Sequence, residues 1–201
     1  MPFFQQLDLA LLHALYGANG PVWLTDLMIG TAMISKGSVM YIVAPLLAWC
    51  KSRCDAVAVA VSLGACALSD WGLKLFFARE RPCVCIADIH SLLGHPTDAS
   101  FPSGHALRAF AVAACLASSP WVCAPGQRSW KRRLVTITYT FAALVCVSRI
   151  YLGAHFPSDV LVGAIVGTGL GILGERVTKK WIVPRRQPAS QSSRTSAAPA
   201  E

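Results

Sequence analysis

A chain of 201 residues that is 54% hydrophobic and only 14% charged, with a mean hydropathy of +0.50, is too apolar for an ordinary soluble domain and reads as one small helical membrane protein. Its formal charge of +8 does not point to nucleic acid, because the Lys and Arg residues sit between apolar runs and do not line one face with interleaved aromatics. They read as membrane-topology charges.

In chain order, Phe3 to Tyr16 is apolar at Phe3, Phe4, Leu7, Leu9, Leu11, Leu12 and Leu15, with Gln5, Gln6, Asp8 and His13 interspersed. That mixture predicts a segment lying along the membrane interface. Ala18-Asn19-Gly20-Pro21 breaks it, and Val22 to Met28 starts a second amphipathic piece. A cleaved signal peptide is not expected, since the first basic residue is Lys36. Crossing a hydrocarbon core takes roughly 20 mostly apolar residues. Gly37 to Cys50 is short alone, and reaches that length if its helix begins near Met28 with Lys36 facing inward or snorkelling. Ala56 to Phe77, His105 to Ala124, Leu134 to Tyr151 and Asp159 to Val177 are clear spans. The expected fold is an all-α transmembrane bundle of five spans, or six if the N-terminal segment also crosses. Residues 1–35 form the interfacial lead-in, 36–182 the membrane catalytic domain and 183–201 a disordered cytoplasmic tail rich in Pro, Ala, Ser and Gln. Gly163, Gly167 and Gly171 repeat every four residues in the last span, which predicts close helix packing that would hold His155 and Asp159 against the helix carrying Arg149.

Basic residues orient this bundle. Lys51 and Arg53, then Arg128, Lys131, Arg132 and Arg133, then Lys179, Lys180, Arg185, Arg186 and Arg194 all fall on one side, which the positive-inside rule makes cytoplasmic. The opposite side receives the loop from Ala78 to Phe101 and the turn from Leu152 to Ser158. There Arg79 is the only Lys or Arg outside three polar strings. Those strings are Lys74 with Arg81-Pro82, then Pro102-Ser103-Gly104-His105, then Ser148-Arg149 with His155 and Asp159. Four helix ends bring them to one membrane face.

Taken singly, each string has a structural explanation. Lys74 could snorkel and Arg81 mark a boundary. Ser103 could be only an N-cap; alternatively, that turn offers free backbone N–H groups and the helix dipole to an anion. The third string is the most informative, since a buried arginine, a histidine and a carboxylate one turn later are costly in a membrane unless paired or functional.

Together the strings, K-x6-R-P, P-S-G-H and S-R-x5-H-x3-D, resemble the three-part signature of the type 2 phosphatidic acid phosphatase (PAP2) superfamily, with every position filled between residues 74 and 159. The resemblance implies a nucleophilic His155 oriented by Asp159, with His105 as general acid and then base. It also implies a phosphate cradle of Lys74, Arg81, Ser103, Gly104 and Arg149, and no metal or other cofactor. The chemistry agrees: a neutral imidazole is nucleophilic, a carboxylate accepting its other N–H sets the tautomer, and fixed cations replace a metal clamp on the nonbridging oxygens. The implied activity is hydrolysis of a phosphomonoester or diphosphate on a lipid at the outer face of a cytoplasmic membrane. Undecaprenyl diphosphate, phosphatidylglycerol phosphate, phosphatidic acid and lipid A phosphates are the substrates to weigh. Phosphotransfer to another lipid and noncatalytic lipid-phosphate binding are the alternatives. Glu80, Asp88, His90 and His95 read as solvated loop residues and His13 as interfacial. Cys66, Cys115 and Cys146 read as small apolar fillers, Cys50, Cys54 and Cys123 as cytoplasmic-face thiols, and the state of Cys83 and Cys85 is left open.

Overall fold

The computed structural model describes residues 3–49, 53–94, 97–120 and 128–182. Lys51, Cys50, Cys123, His95 and the tail from 183 to 201, on which several expectations fall, lie outside the described residues. Every regular element described is helical: α1 (Phe3–Leu15), α2 (Val22–Ile34), α3 (Gly37–Trp49), α4 (Arg53–Phe77), the single turn α5 (Pro82–Cys85), α6 (Gly104–Ser118), α7 (Arg128–Tyr151) and α8 (Pro157–Val177). A π-helical turn, Thr178–Ile182, extends α8. Among the described residues, three helical stretches are long and apolar enough to cross a membrane, namely Arg53–Cys85, Ser129–Tyr151 and Pro157–Trp181. Val22–Ile34 and Gly104–Ser118 are apolar but shorter.

A helix running from about Met28 through Gly37 is not what forms. The chain breaks at Ser35 and Lys36, where the Ser35 hydroxyl donates to the Thr31 and Ala32 carbonyls at 2.9 and 3.1 Å. The Thr31 carbonyl still accepts the Ser35 amide at 3.1 Å, but the Lys36 amide turns to Met33 at 3.2 Å and leaves the Ala32 carbonyl to the Ser35 hydroxyl, so the ladder stops there and α3 begins at Gly37.

The tightest packing joins α8 to α6. A Cβ on Gly163 would lie 2.7 Å from the Ser103 carbonyl oxygen, and those on Gly167 and Gly171 would overlap the Leu107 and Ala111 carbonyl oxygens. Without side chains the two backbones meet directly, the route to helix association where lipid removes the hydrophobic drive. The close neighbour of the glycine ridge is therefore the helix that begins at Gly104, not the Arg149 helix. On the opposite face of α8, Leu161 and Ile165 are 62% and 63% exposed, a surface suited to acyl chains. Val59 and Leu63 of α4, Val112 and Leu116 of α6 and Val145 of α7 fill the interior beneath.

The turn from α7 into α8 is set by Gly153. Its φ of +69° is the left-handed region, and a Cβ there would lie 2.8 Å from the His90 carbonyl oxygen, so a side chain is disfavoured twice over. The Ala154 and His155 amides both donate back to the Arg149 carbonyl at 3.1 and 3.3 Å. Leu12 of α1 is fully buried with Ile89, Ile150, Phe156 and Val160, while Phe4, Leu7, Leu11 and Leu15 are exposed. The Tyr16 hydroxyl donates to the His90 carbonyl at 2.9 Å and accepts from its amide at 2.8 Å. The N-terminal helix is thus fastened to the same end of the bundle as the loop after α4.

Candidate active site

A cavity of about 510 Å³ opens at this end, and Lys74, Arg81, Gly104, His105, Arg149 and His155 all line it. Residues from four helix ends therefore converge on one space. Ser103 and Asp159 are fully buried behind its wall.

His155 is buried, with Nδ1 2.8 Å from the Ser100 carbonyl oxygen. A carbonyl can only accept, so Nδ1 carries the proton and Nε2 keeps the lone pair. Arg81 Nη1, 3.1 Å from Nε2, then donates to that lone pair. Burial foremost, helped by the Arg81 and Arg149 charges and opposed by Asp159, pushes the imidazole down to about 4.

The spacing of His155 and Asp159 suggests a direct hydrogen bond, yet Asp159 Oδ2 stands 3.7 Å from Nδ1. Asp159 occupies the first turn of α8, and its Oδ2 accepts from the Phe156 amide at 3.0 Å and the Ser100 hydroxyl at 2.5 Å. Helix capping thus claims the carboxylate, and Ser100 carries the connection: its carbonyl takes the imidazole proton while its hydroxyl bonds the carboxylate. Asp159 acts on His155 through charge and through Ser100.

The cations are held by a carboxylate that was not anticipated from sequence. Asp98 accepts from Lys74 Nζ at 2.6 Å through Oδ2 and from Arg81 Nη2 at 2.8 Å through Oδ1, and its carbonyl accepts from Arg81 Nε at 2.9 Å. Partial burial alone would raise its carboxyl, but the hydrogen bonds and charges of Lys74 and Arg81 hold it at about 2. Arg81 also donates to the Ala154 carbonyl at 2.8 Å. Asp70 pairs with Lys74 at 3.2 Å and Arg108 at 3.3 Å. It abuts Gly104 so closely that a Cβ there would be 2.5 Å from Asp70 Oδ2. A lone Asp in a polar loop gives no sequence signal of such a role.

Ser103 precedes α6, but its hydroxyl makes no capping bond. That buried Oγ, like Arg149 Nε, has no hydrogen-bond partner among the described residues, which is unusual enough to require an explanation. A bound phosphoryl group would supply acceptors for both.

Arg79, which the sequence marked only as the outer side's one Lys or Arg outside the motif strings, is a clasp. Nη1 donates to Asp159 Oδ1 at 2.6 Å and to the Ser158 hydroxyl at 2.7 Å, and Nη2 to Asp8 Oδ2 at 2.8 Å. The guanidinium lies 3.9 Å from the Phe156 ring centroid. Asp8 in turn accepts from the Ser158 amide at 2.8 Å and its hydroxyl at 2.5 Å. Cys83 and Cys85, left open from sequence, are free thiols.

Comparison with known proteins places the chain in a family. The PAP2 superfamily profile matches residues 55–182. Phosphatidylglycerophosphatase B of Bacillus subtilis (strain 168) is 30% identical over 149 residues, covering 72% of this chain and 70% of its own length. An undecaprenyl-diphosphatase of Sulfolobus acidocaldarius is 33% identical over 106 residues, covering 52% of this chain and 46% of that protein. Among solved structures, a transmembrane PAP2 type phosphatidylglycerolphosphate phosphatase from Bacillus subtilis superposes with a TM-score of 0.77 at 27% identity, covering 93% of this chain and 90% of that one. With three motif strings meeting in one cavity and a profile match over most of the chain, the protein belongs to the PAP2 superfamily of phosphate-ester hydrolases.

Proposed function

We propose that this chain is an integral membrane lipid phosphatase that cleaves a phosphomonoester or diphosphate through a phosphohistidine on His155, without a metal. The observation that carries the mechanism is the tautomer imposed by Ser100, which leaves the lone pair on Nε2, the nitrogen beside Arg81, in a residue that lines the cavity with Lys74, Arg81 and Arg149. Nε2 attacks phosphorus, forming the N–P bond as the P–O bond to the lipid breaks, and His105 gives its proton to the departing oxygen. As the lone pair moves to phosphorus, Arg81 transfers its N–H from Nε2 to a nonbridging oxygen. Lys74, Arg149, the Ser103 hydroxyl and the Gly104 amide hold the others. His105 then takes a proton from water, whose oxygen attacks phosphorus. Phosphate leaves, and His155 returns to its neutral form. Asp159 stabilises the imidazolium character that develops on attack.

Detergent-purified protein is expected to release phosphate from at least one of undecaprenyl diphosphate, phosphatidylglycerol phosphate, phosphatidic acid or a lipid A phosphate, to keep that activity in chelator, and to be inhibited by vanadate. Loss in chelator with recovery on adding magnesium would overturn the metal-free reading, and phosphate appearing on a second lipid in place of water would make the enzyme a transferase. Because His155 reacts as the neutral base and titrates near 4, the acidic limb of kcat/KM assigned to it should lie near pH 4. A limb near pH 6.5 would mean a solvated imidazole.

In the bilayer, we read α4, α7 and α8 as full-length spans and α3 and α6, at 13 and 15 residues, as shorter ones that the bilayer meets by local thinning, with α1 at the interface and residues 36–182 as the catalytic unit. The site faces outward from the cytoplasmic membrane, by the basic residues of the opposite loops. An impermeant thiol reagent on intact cells should label the exposed Cys85 and reach Cys54 only after permeabilisation; the reverse pattern would place the site on the cytoplasmic leaflet.

A further inference from the structure

The cavity carries more positive charge than one phosphoryl group calls for. Lys36, Lys74, Arg81, Arg108 and Arg149 line it against the carboxylates Asp70 and Asp98, leaving three positive charges in excess before the proton that His105 delivers is counted. Lys74, Arg81 and Arg149 with Asp98 account for two, the match for a phosphomonoester of charge about −2. Lys36 and Arg108 with Asp70 supply the third, and none of these three belongs to the PAP2 motif strings.

Their position gives the excess a direction. Arg108 follows His105 by three residues on α6, so the two side chains share a face one turn apart. In an in-line displacement the acid stands on the leaving-group side, opposite the nucleophile. Arg108 therefore extends the leaving-group side. Its Nη1 pairs with Asp70 at 3.3 Å, its buried Nε has no acceptor among the described residues, and its guanidinium carbon lies 3.5 Å from the Cβ position of Gly37. Lys36, at the break between α2 and α3 and next in sequence to Gly37, is exposed and lines the same cavity.

Building on the lipid-phosphatase reading, we infer that Lys36 and Arg108 form a second anion subsite that holds the phosphate adjoining the scissile one. The enzyme then favours lipids carrying two phosphates over lone phosphomonoesters. The second phosphate is joined either directly, as in a polyprenyl diphosphate, or through a glycerol, as in phosphatidylglycerol phosphate.

The test compares kcat/KM for those two lipids and for phosphatidic acid in full-length wild-type, Lys36→Gln and Arg108→Gln proteins. The preference for a two-phosphate lipid over phosphatidic acid should fall about tenfold in each variant, chiefly through KM, and the lipid whose preference falls identifies the linkage. Arg108→Lys should recover part of the loss. If Arg108→Gln fails to fold because Asp70 loses a partner, Lys36→Gln, which removes no ion pair seen among the described residues, carries the comparison. Binding of methylenediphosphonate against inorganic phosphate, read by thermal shift, gives an answer independent of turnover: the diphosphonate should bind about tenfold tighter, and Lys36→Gln should erase that margin. An unchanged substrate preference together with an unchanged margin would overturn the subsite. If the wild type hydrolyses no lipid phosphate, the lipid-phosphatase reading fails by itself and the subsite is decided by diphosphonate binding.

Discussion

Substituting alanine for His155 is expected to lower turnover by at least ~10⁴-fold, the scale on which loss of a nucleophile falls in other covalent catalysts, while the protein remains folded and still binds vanadate. The imidazole contributes few structural bonds, chiefly that from Nδ1 to the Ser100 carbonyl and that from Arg81 to Nε2. Arg81 keeps its bonds to Ala154 and Asp98 when the ring is gone, so the cradle survives. Phosphate release and vanadate-induced thermal shift on the same preparation separate chemistry from binding. Near-normal turnover in a cleanly purified variant would remove His155 as the nucleophile.

Gly167→Ala is expected to be the most damaging single-methyl change in the bundle. The added carbon would overlap the Leu107 carbonyl, and a backbone group cannot move aside as a side-chain tip can. Overpacking of this kind costs about 1–3 kcal/mol. Because α6 carries Ser103, Gly104 and His105 while α8 carries Asp159, forcing the helices apart also misplaces the site, and a ~1 Å error can cost about 10²-fold in rate. Gly169→Ala is the control, since a Cβ there meets nothing within 4 Å and alanine improves helix propensity by up to ~1 kcal/mol. Thermal melts in detergent and phosphate release should separate the two sharply. Equal behaviour would mean the α6–α8 contact is looser than described.

The convergence of Lys74, Arg81, Gly104, His105, Arg149 and His155 on one cavity was legible because the motif strings fall at helix ends that the topology carries to one membrane face. The glycine ridge was legible as a packing surface, but its partner was not, because a periodic pattern says which face is bare and not which neighbour comes to it. Asp98, Ser100, Arg79 and Asp8 were missed for a related reason. Each is an ordinary polar residue in a loop or an amphipathic helix, and its role exists only through partners brought close by the fold, as when Ser100 meets both His155 and Asp159. The break at Ser35 was likewise hidden, since apolar residues continue on both sides of it and only the Lys36 amide bonding to Met33 in place of Ala32 reveals the stop.

The clasp between α1 and the start of α8 also imposes an order of assembly. Asp8 and Ser158 are 150 residues apart in the chain, and at a synthesis rate of ~5–20 residues per second Asp8 is made roughly 8–30 s before its partner. Arg79 emerges between them and can engage Asp8 at once, whereas its bond to Asp159 must wait for the last helix. Lys74 and Arg81 are therefore made well before the turn carrying Arg149 and His155. On the mechanism proposed above, an incomplete chain lacks its nucleophile and cannot act on the lipid pool around it.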